Sequence, residues 1–235
     1  MFYCTFVFLY NIVSRQLALL LLINNDDDDD DDDVIVLSGC LRCDIEIAYL
    51  VDSSTKSSST DWQNVLNLLN SFAGNFNVNP NCHRHAMILY SDSARVSFGL
   101  TRYSTLASLQ QAIRSITAIG SGSNLLSALQ LLRLQVFTDT VRRTRARLVA
   151  GIVTDSLTCS NELIRVADEL KKWGIVIVAI AYTQRGQVDI ECLREIVTAN
   201  QYIEIDNYAS YEQYISTAVS AVCPPDYWGK SCSVK

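Results

Sequence analysis

Asp44-Ile45-Glu46-Ile47-Ala48-Tyr49-Leu50-Val51-Asp52-Ser53-Ser54-Thr55-Lys56 decides the fold. The first eight residues are mostly apolar and partly β-branched, as in a strand covered by helices on both faces. The strand runs into Asp52 and a set of hydroxyls, and a helical pattern follows. In an open α/β sheet, ligands bind outside the carboxyl ends of strands, where the strand order reverses. An Asp and a Ser two residues on, at such a point, can present hard oxygens to one cation.

Outward from this stretch, strands and helices alternate. Trp62, Val65, Leu66, Leu69, Phe72 and Phe76 fall on one helical face. Ala86–Tyr90 reads as a strand and Arg95–Phe98 as a short one at the sheet edge. Leu106, Leu109 and Ile113 mark one helix, and Leu125, Leu129, Leu132 and Val136 another. Strand 148–153, a helix through Leu163–Leu170 stopped by Gly174, and strand 175–181 follow. A helix near 190–197, a short strand near 202–205 and a helix over 208–222 complete the pattern, and Pro224-Pro225 ends it. The alternation predicts an α/β, doubly wound, mostly parallel six-stranded sheet with helices on both faces and one antiparallel edge strand at Val96.

Three segments carry a resemblance. Asp52-x-Ser54 resembles the opening of the metal-ion-dependent adhesion site of von Willebrand factor type A domains. Its third motif position is Lys56 in place of Ser. Gly120-Ser121-Gly122-Ser123 resembles the second loop, with Ser123 at the family's Thr position. Leu148–Ser156 resembles the third segment, with Asp155 as the carboxylate. The similarity runs from about Cys43 to Cys223 and includes Tyr90-Ser91-Asp92. It implies a Rossmann-like fold and a protein-binding or adhesion module, not an enzyme. It also implies a metal site of Asp52, Ser54, Ser123 and Asp155. Hard oxygens suit Mg²⁺, with Mn²⁺ or Ca²⁺ as alternatives. The implied partner is an extracellular protein such as collagen or another matrix protein.

Lys56 makes the implied site degenerate. It removes one oxygen and adds a cation that can neutralise Asp52 or Asp155 itself, so metal affinity is expected to be weak or absent. Ser57 supplies a hydroxyl only with a one-residue shift of the turn.

At 235 residues and 49% hydrophobic, the chain can bury one good-sized core. The expected division is a signal-like apolar segment at 1–23, an acidic low-complexity linker at 24–42, a domain at 43–223 and a cysteine-containing tail at 224–235. The net charge of −6 includes the eight aspartates Asp26–Asp33, so the rest of the chain carries +2. Nothing here forms the basic face that nucleic acid requires. The aspartate run reads as a solvated linker, with a weak calcium-binding tail as the sharper alternative. Arg142, Arg143, Arg145 and Arg147 read as a solvated connector, with an anionic-glycan patch as the alternative.

Residues 1–23 lack the early charge and small residues of a secretory signal but have its late apolar run. Asn11, Ser14, Arg15 and Gln16 interrupt any membrane span. An imperfect signal is the favoured reading, and a mis-set start of the coding sequence is the alternative. Eight cysteines favour an oxidising, extracellular location. In the architecture that the resemblance implies, Cys43 and Cys223 lie together at the end of the sheet opposite the ligand site. A bridge between them would close a loop of about 180 residues and contribute about 2–4 kcal/mol. Cys159 and Cys192, after successive strands at the ligand end, form the second expected pair. Pairing of Cys40, Cys82 and Cys232 stays open.

His83 and His85 follow Cys82 but have no complementary pair, so zinc is the lesser reading and a structural role the favoured one. Gly120-x-Gly122 is followed by Leu125, which breaks the dinucleotide fingerprint. No nucleophile elbow is present. An enzyme on a Rossmann-like sheet is thus the rival from another class, and a structural module without metal is the third reading.

Overall fold

The computed structural model describes residues 5–10, 17–22, 35–37, 44–54, 58–184, 187–199 and 201–223. Lys56, the aspartate run, Cys40, Cys43 and the tail from Pro224 lie outside them. Near the amino terminus, β1 (Thr5–Tyr10), β2 (Leu17–Leu22) and β3 (Ile35–Leu37) pair as an antiparallel sheet. A strand at 35–37 was not expected within the acidic segment. Among the described residues, no helix is long and apolar enough to cross a membrane.

The main sheet has the order β6-β5-β4-β7-β8-β9. Its strands are β4 (Ile45–Asp52), β5 (Arg84–Tyr90), β6 (Ala94–Phe98), β7 (Arg147–Thr154), β8 (Ile175–Tyr182) and β9 (Tyr202–Ile205). All neighbours are parallel except β6, which runs antiparallel to β5 at one edge. This is the doubly wound sheet expected from the sequence. The chain builds outward from β4 on one side through β5 and β6. It then crosses to build β7, β8 and β9 on the other. The order therefore reverses between β4 and β7, and a crevice opens beyond their carboxyl ends.

Two apolar layers flank the sheet. Successive β4 residues point to opposite faces. Ile45, Ile47, Tyr49 and Val51 pack with α1 (Ser59–Ala73), α2 (Leu106–Arg114) and α6 (Glu212–Val222). Ala48 and Leu50 pack with α3 (Leu125–Leu131), α4 (Asn161–Lys172) and α5 (Ile190–Ile196). Burial on both faces explains why β4, β5 and β8 read as nearly continuous apolar runs.

Boundaries differ from the expectation in three places. The helix predicted through Phe76 stops at Ala73, and Phe76 packs into the core from beyond the Gly74 cap. The helix predicted through Val136 loosens after Leu131 into a π-turn, Leu132–Val136, which leaves Leu134 exposed. The predicted 208–222 helix begins with a 3₁₀ turn at Tyr208–Ser210.

The basic connector is the main correction. Two of its arginines have fixed protein partners. Glu46, in β4, is fully buried at the end of the sheet opposite the crevice. Its Oε1 accepts from Arg84 Nε at 3.0 Å and from Arg143 N and Nε at 3.1 and 3.0 Å. Arg84 Nη2 also pairs with it. Arg142 lies over the Trp173 ring at 4.6 Å, and Arg133 lies at 3.6 Å from the same ring. A buried carboxylate needs such partners, which is why Arg143 is drawn inward from the run.

Candidate functional site

Asp52, Ser123 and Asp155 come from three segments that the sheet brings to one crevice. Asp52 is the last residue of β4, and Asp155 immediately follows β7, its parallel neighbour. Ser123 arrives on the loop before α3. That loop is held by Asn124 N donating to Ser91 O at 2.7 Å and by Ser121 N donating to Asp92 Oδ2 at 3.2 Å. Gly120 and Gly122 permit this close approach. Gly120 has φ 67°, and a Cβ on Gly122 would lie 2.3 Å from Asp92 Oδ1. These glycines thus serve a loop contact. Backbone N–H groups of Ser121 and Gly122 hold the Asp92 carboxyl below the usual carboxylate range.

Asp52 is the hub. Its Oδ1 accepts from Ser54 N at 3.1 Å. Its Oδ2 faces three hydroxyls: Ser123 at 2.7 Å, Ser156 at 3.3 Å and Thr154 at 3.4 Å. Burial pushes the Asp52 carboxyl above the usual range, and the nearby Asp155 charge adds to this. The Ser123 hydroxyl and Ser54 N–H pull it back. The Asp155 charge beside the partly buried Asp52 carboxylate makes a cation between the two electrostatically favourable.

The donor chemistry fits a hard divalent cation. Asp52, Ser54, Ser123 and Asp155 offer oxygen only. Ser54 Oγ is 97% buried and makes no hydrogen bond of acceptable geometry among the described residues. It lies near enough to the Asp52 carboxylate to help lower its proton affinity. An oxygen buried there without a partner is one that a cation would satisfy. No group of three or more His, Cys, Asp or Glu side chains is placed to hold a metal among the described residues. A cation at this crevice therefore depends on the hydroxyls. Lys56 lies outside the described residues.

The Asp155 loop is clamped from the side. Leu157 N donates to Gln187 O at 2.9 Å, and Asp189 N donates to Leu157 O at 3.1 Å. A Cys159–Cys192 disulfide ties the same loop to the start of α5. Cys82 and Cys223 are also disulfide-bonded. Cys40, Cys43 and Cys232 lie outside the described residues, so the Cys43–Cys223 bridge remains an expectation.

Thr154 and Ser156 were not singled out in the sequence. The available signal was their position as hydroxyls on either side of Asp155. His83 and His85 are buried in β5 and its entry, far along the sheet from the crevice. Tyr49 Oη lies 2.9 Å from His85 Nδ1, and Phe76 packs edge-on to both rings. A separate cavity of about 310 Å³ between the sheet and α6 is walled by side chains such as Val149, Val178, Ile180 and Val222. Among the described residues, its lining includes no Asp, Glu, His or Cys.

The von Willebrand factor type A domain family matches residues 46–217. Matrilin-1 of Gallus gallus is 27% identical over 170 residues, covering 71% of this chain and 34% of the relative. The collagen alpha-4(VI) chain of Mus musculus is 26% identical over 172 residues, covering 72% of this chain and 7% of the relative. The chain thus spans about a third or less of the length of these two relatives. Among solved structures, proximal thread matrix protein 1 from the mussel byssus, with a zinc-occupied MIDAS motif, aligns with a TM-score of 0.71 at 22% identity. The alignment covers 80% of this chain and 47% of that one, and it supports the fold. With the three loops assembled at the switch point and the match covering most of the sheet, the chain belongs to the von Willebrand factor type A domain family.

Proposed function

We propose that the domain is an extracellular adhesion module that binds a protein ligand at the crevice of Asp52, Ser54, Ser123 and Asp155. The carrying observation is convergence: two carboxylates and hydroxyls from three loops meet at one end of the sheet, with Ser54 Oγ buried and without a hydrogen bond of acceptable geometry among the described residues. Asp52, Ser54, Ser123 and Asp155 would hold Mg²⁺, which would supply a positive charge able to attract an acidic side chain of the partner. Mn²⁺ and Ca²⁺ are the alternatives. The relatives, a matrilin and a collagen chain, favour a matrix protein as ligand and secretion as the location. Among the described residues, the crevice holds no assembled set of nucleophile, base and oxyanion donors, which favours binding over catalysis.

The site is proposed to be degenerate. Lys56 stands at the third motif position, where its ammonium would compete with the metal for Asp52 and Asp155. A module that binds its partner without metal shares most of these expectations, and Ser123 separates the two readings. In the Lys56→Ser background, binding to immobilised matrix proteins, collagen included, is expected to be saturable in Mg²⁺ and at least about tenfold weaker when Ser123→Ala is added, a loss of about 1.4 kcal/mol. Equal binding by both proteins, with the same midpoint in EDTA, would place the contact elsewhere.

A further inference from the structure

We propose that the Ser156 hydroxyl is a built-in competitor of the cation at Asp52, and that it sets how strongly this domain takes up metal. The competition presupposes the cation site proposed above. Three hydroxyls face Asp52 Oδ2, and they are not equivalent. Ser123 Oγ lies 2.7 Å from Asp52 Oδ2 and 2.9 Å from Ser156 O. Thr154 Oγ1 lies 3.4 Å from Asp52 Oδ2 and only 2.7 Å from Ser156 O. Each therefore has a second acceptor for its one proton, the Ser156 carbonyl. Ser156 Oγ has a described hydrogen bond to Asp52 Oδ2 only, at 3.3 Å.

The consequence follows from counting donors and lone pairs. A serine or threonine hydroxyl has one proton and two lone pairs. When a cation occupies Asp52 Oδ2, Ser123 and Thr154 can turn their protons fully onto the Ser156 carbonyl. Ser123 then keeps a lone pair for the ion. The Ser156 hydroxyl has no such alternative among its described contacts, and it is 93% buried. The cation takes one of the two lone pairs of Oδ2 and draws off its charge, so loading the site weakens the bond on which the buried Ser156 hydroxyl depends, and a poorly satisfied buried hydroxyl is costly. Ser156 thus acts in two opposed ways. Its carbonyl positions Ser123 for the ion, and its hydroxyl holds the carboxylate against the ion.

Ser156→Ala separates these effects, because it removes the hydroxyl and keeps the carbonyl. Mg²⁺ affinity, measured by calorimetry on the full chain and on its Lys56→Ser variant, is expected to rise about tenfold with Ser156→Ala. In EDTA the same substitution is expected to lower Tm, because the metal-free carboxylate loses a donor. Opposite signs in the two conditions are the signature, since a merely structural serine would move both the same way. If Lys56→Ser binds Mg²⁺ and adding Ser156→Ala leaves the affinity unchanged or weaker, the competition is refuted while the cation site stands. If none of these proteins binds Mg²⁺, both fall.

Discussion

Glu46→Ala is expected to lower the unfolding free energy by about 3–5 kcal/mol, the usual effect of removing one partner of a buried ion pair. Glu46 is fully buried, and Arg84 and Arg143 converge on its Oε1. The arginines are not held by Glu46 alone. Arg84 Nη2 donates to Val141 O at 2.8 Å, and Arg143 Nη2 donates to Cys82 O at 2.6 Å. They cannot swing into solvent without giving up these bonds. With the carboxylate gone, two guanidinium groups would stay in a low-dielectric pocket at the end of the sheet opposite the crevice. The connector that carries Arg143 precedes β7, so the damage should spread to the central strand pair. Urea unfolding of both proteins checks this. A loss below about 1 kcal/mol would mean that water reaches the cluster, as at an exposed pair.

The second large effect is an acid sensitivity centred on His85. Burial pushes its imidazole down to about 3, and neighbouring His83 adds to the shift. In the unfolded chain the same group titrates near 6.5. Below that pH the unfolded chain binds a proton that the folded chain refuses until the pH nears 3. Stability from the neutral ring is therefore complete above about 6.5 and falls as the pH drops through this window. The slope approaches about 1.4 kcal/mol per pH unit, so roughly 2 kcal/mol is lost by pH 5. His85→Phe removes the titrating group but keeps a ring beside Tyr49 and Phe76. Denaturant midpoints at pH 7.5 and pH 5 should show a larger acid loss in the natural chain than in the variant. Parallel losses in the two proteins would show that His85 takes up its proton in the folded state.

The sheet was legible because both of its faces are covered. Double burial forces continuous apolar strands such as Ile175–Ala181, and helices between them leave a 3.6-residue period that Gly174 and Pro224 punctuate. The three site loops were legible through short motifs that place Asp52 and Asp155 at strand ends and Ser123 on the loop before α3. What escaped the sequence depends on partners distant along the chain. Glu46 was a lone charge in an apolar strand, and its partners lie 38 and 97 residues away. A run of arginines gives no sign that Arg143 turns inward while its neighbour Arg142 lies on Trp173. The π-turn at Leu132–Val136 keeps the apolar spacing of a helix, so periodicity alone could not separate them. The hydroxyls of Thr154 and Ser156 matter through where their protons point, and only the folded loop fixes that.

The most direct test of the cation-site account is calorimetric titration of Mg²⁺ into three proteins: the natural chain, Lys56→Ser, and Lys56→Ser with Asp155→Ala. Lys56→Ser restores a hydroxyl at the third motif position and removes a competing charge. The account predicts weak or no binding by the natural chain, clear binding by Lys56→Ser, and loss of that gain when Asp155 is also replaced. Tight binding by the natural chain, with no gain from Lys56→Ser, would contradict it.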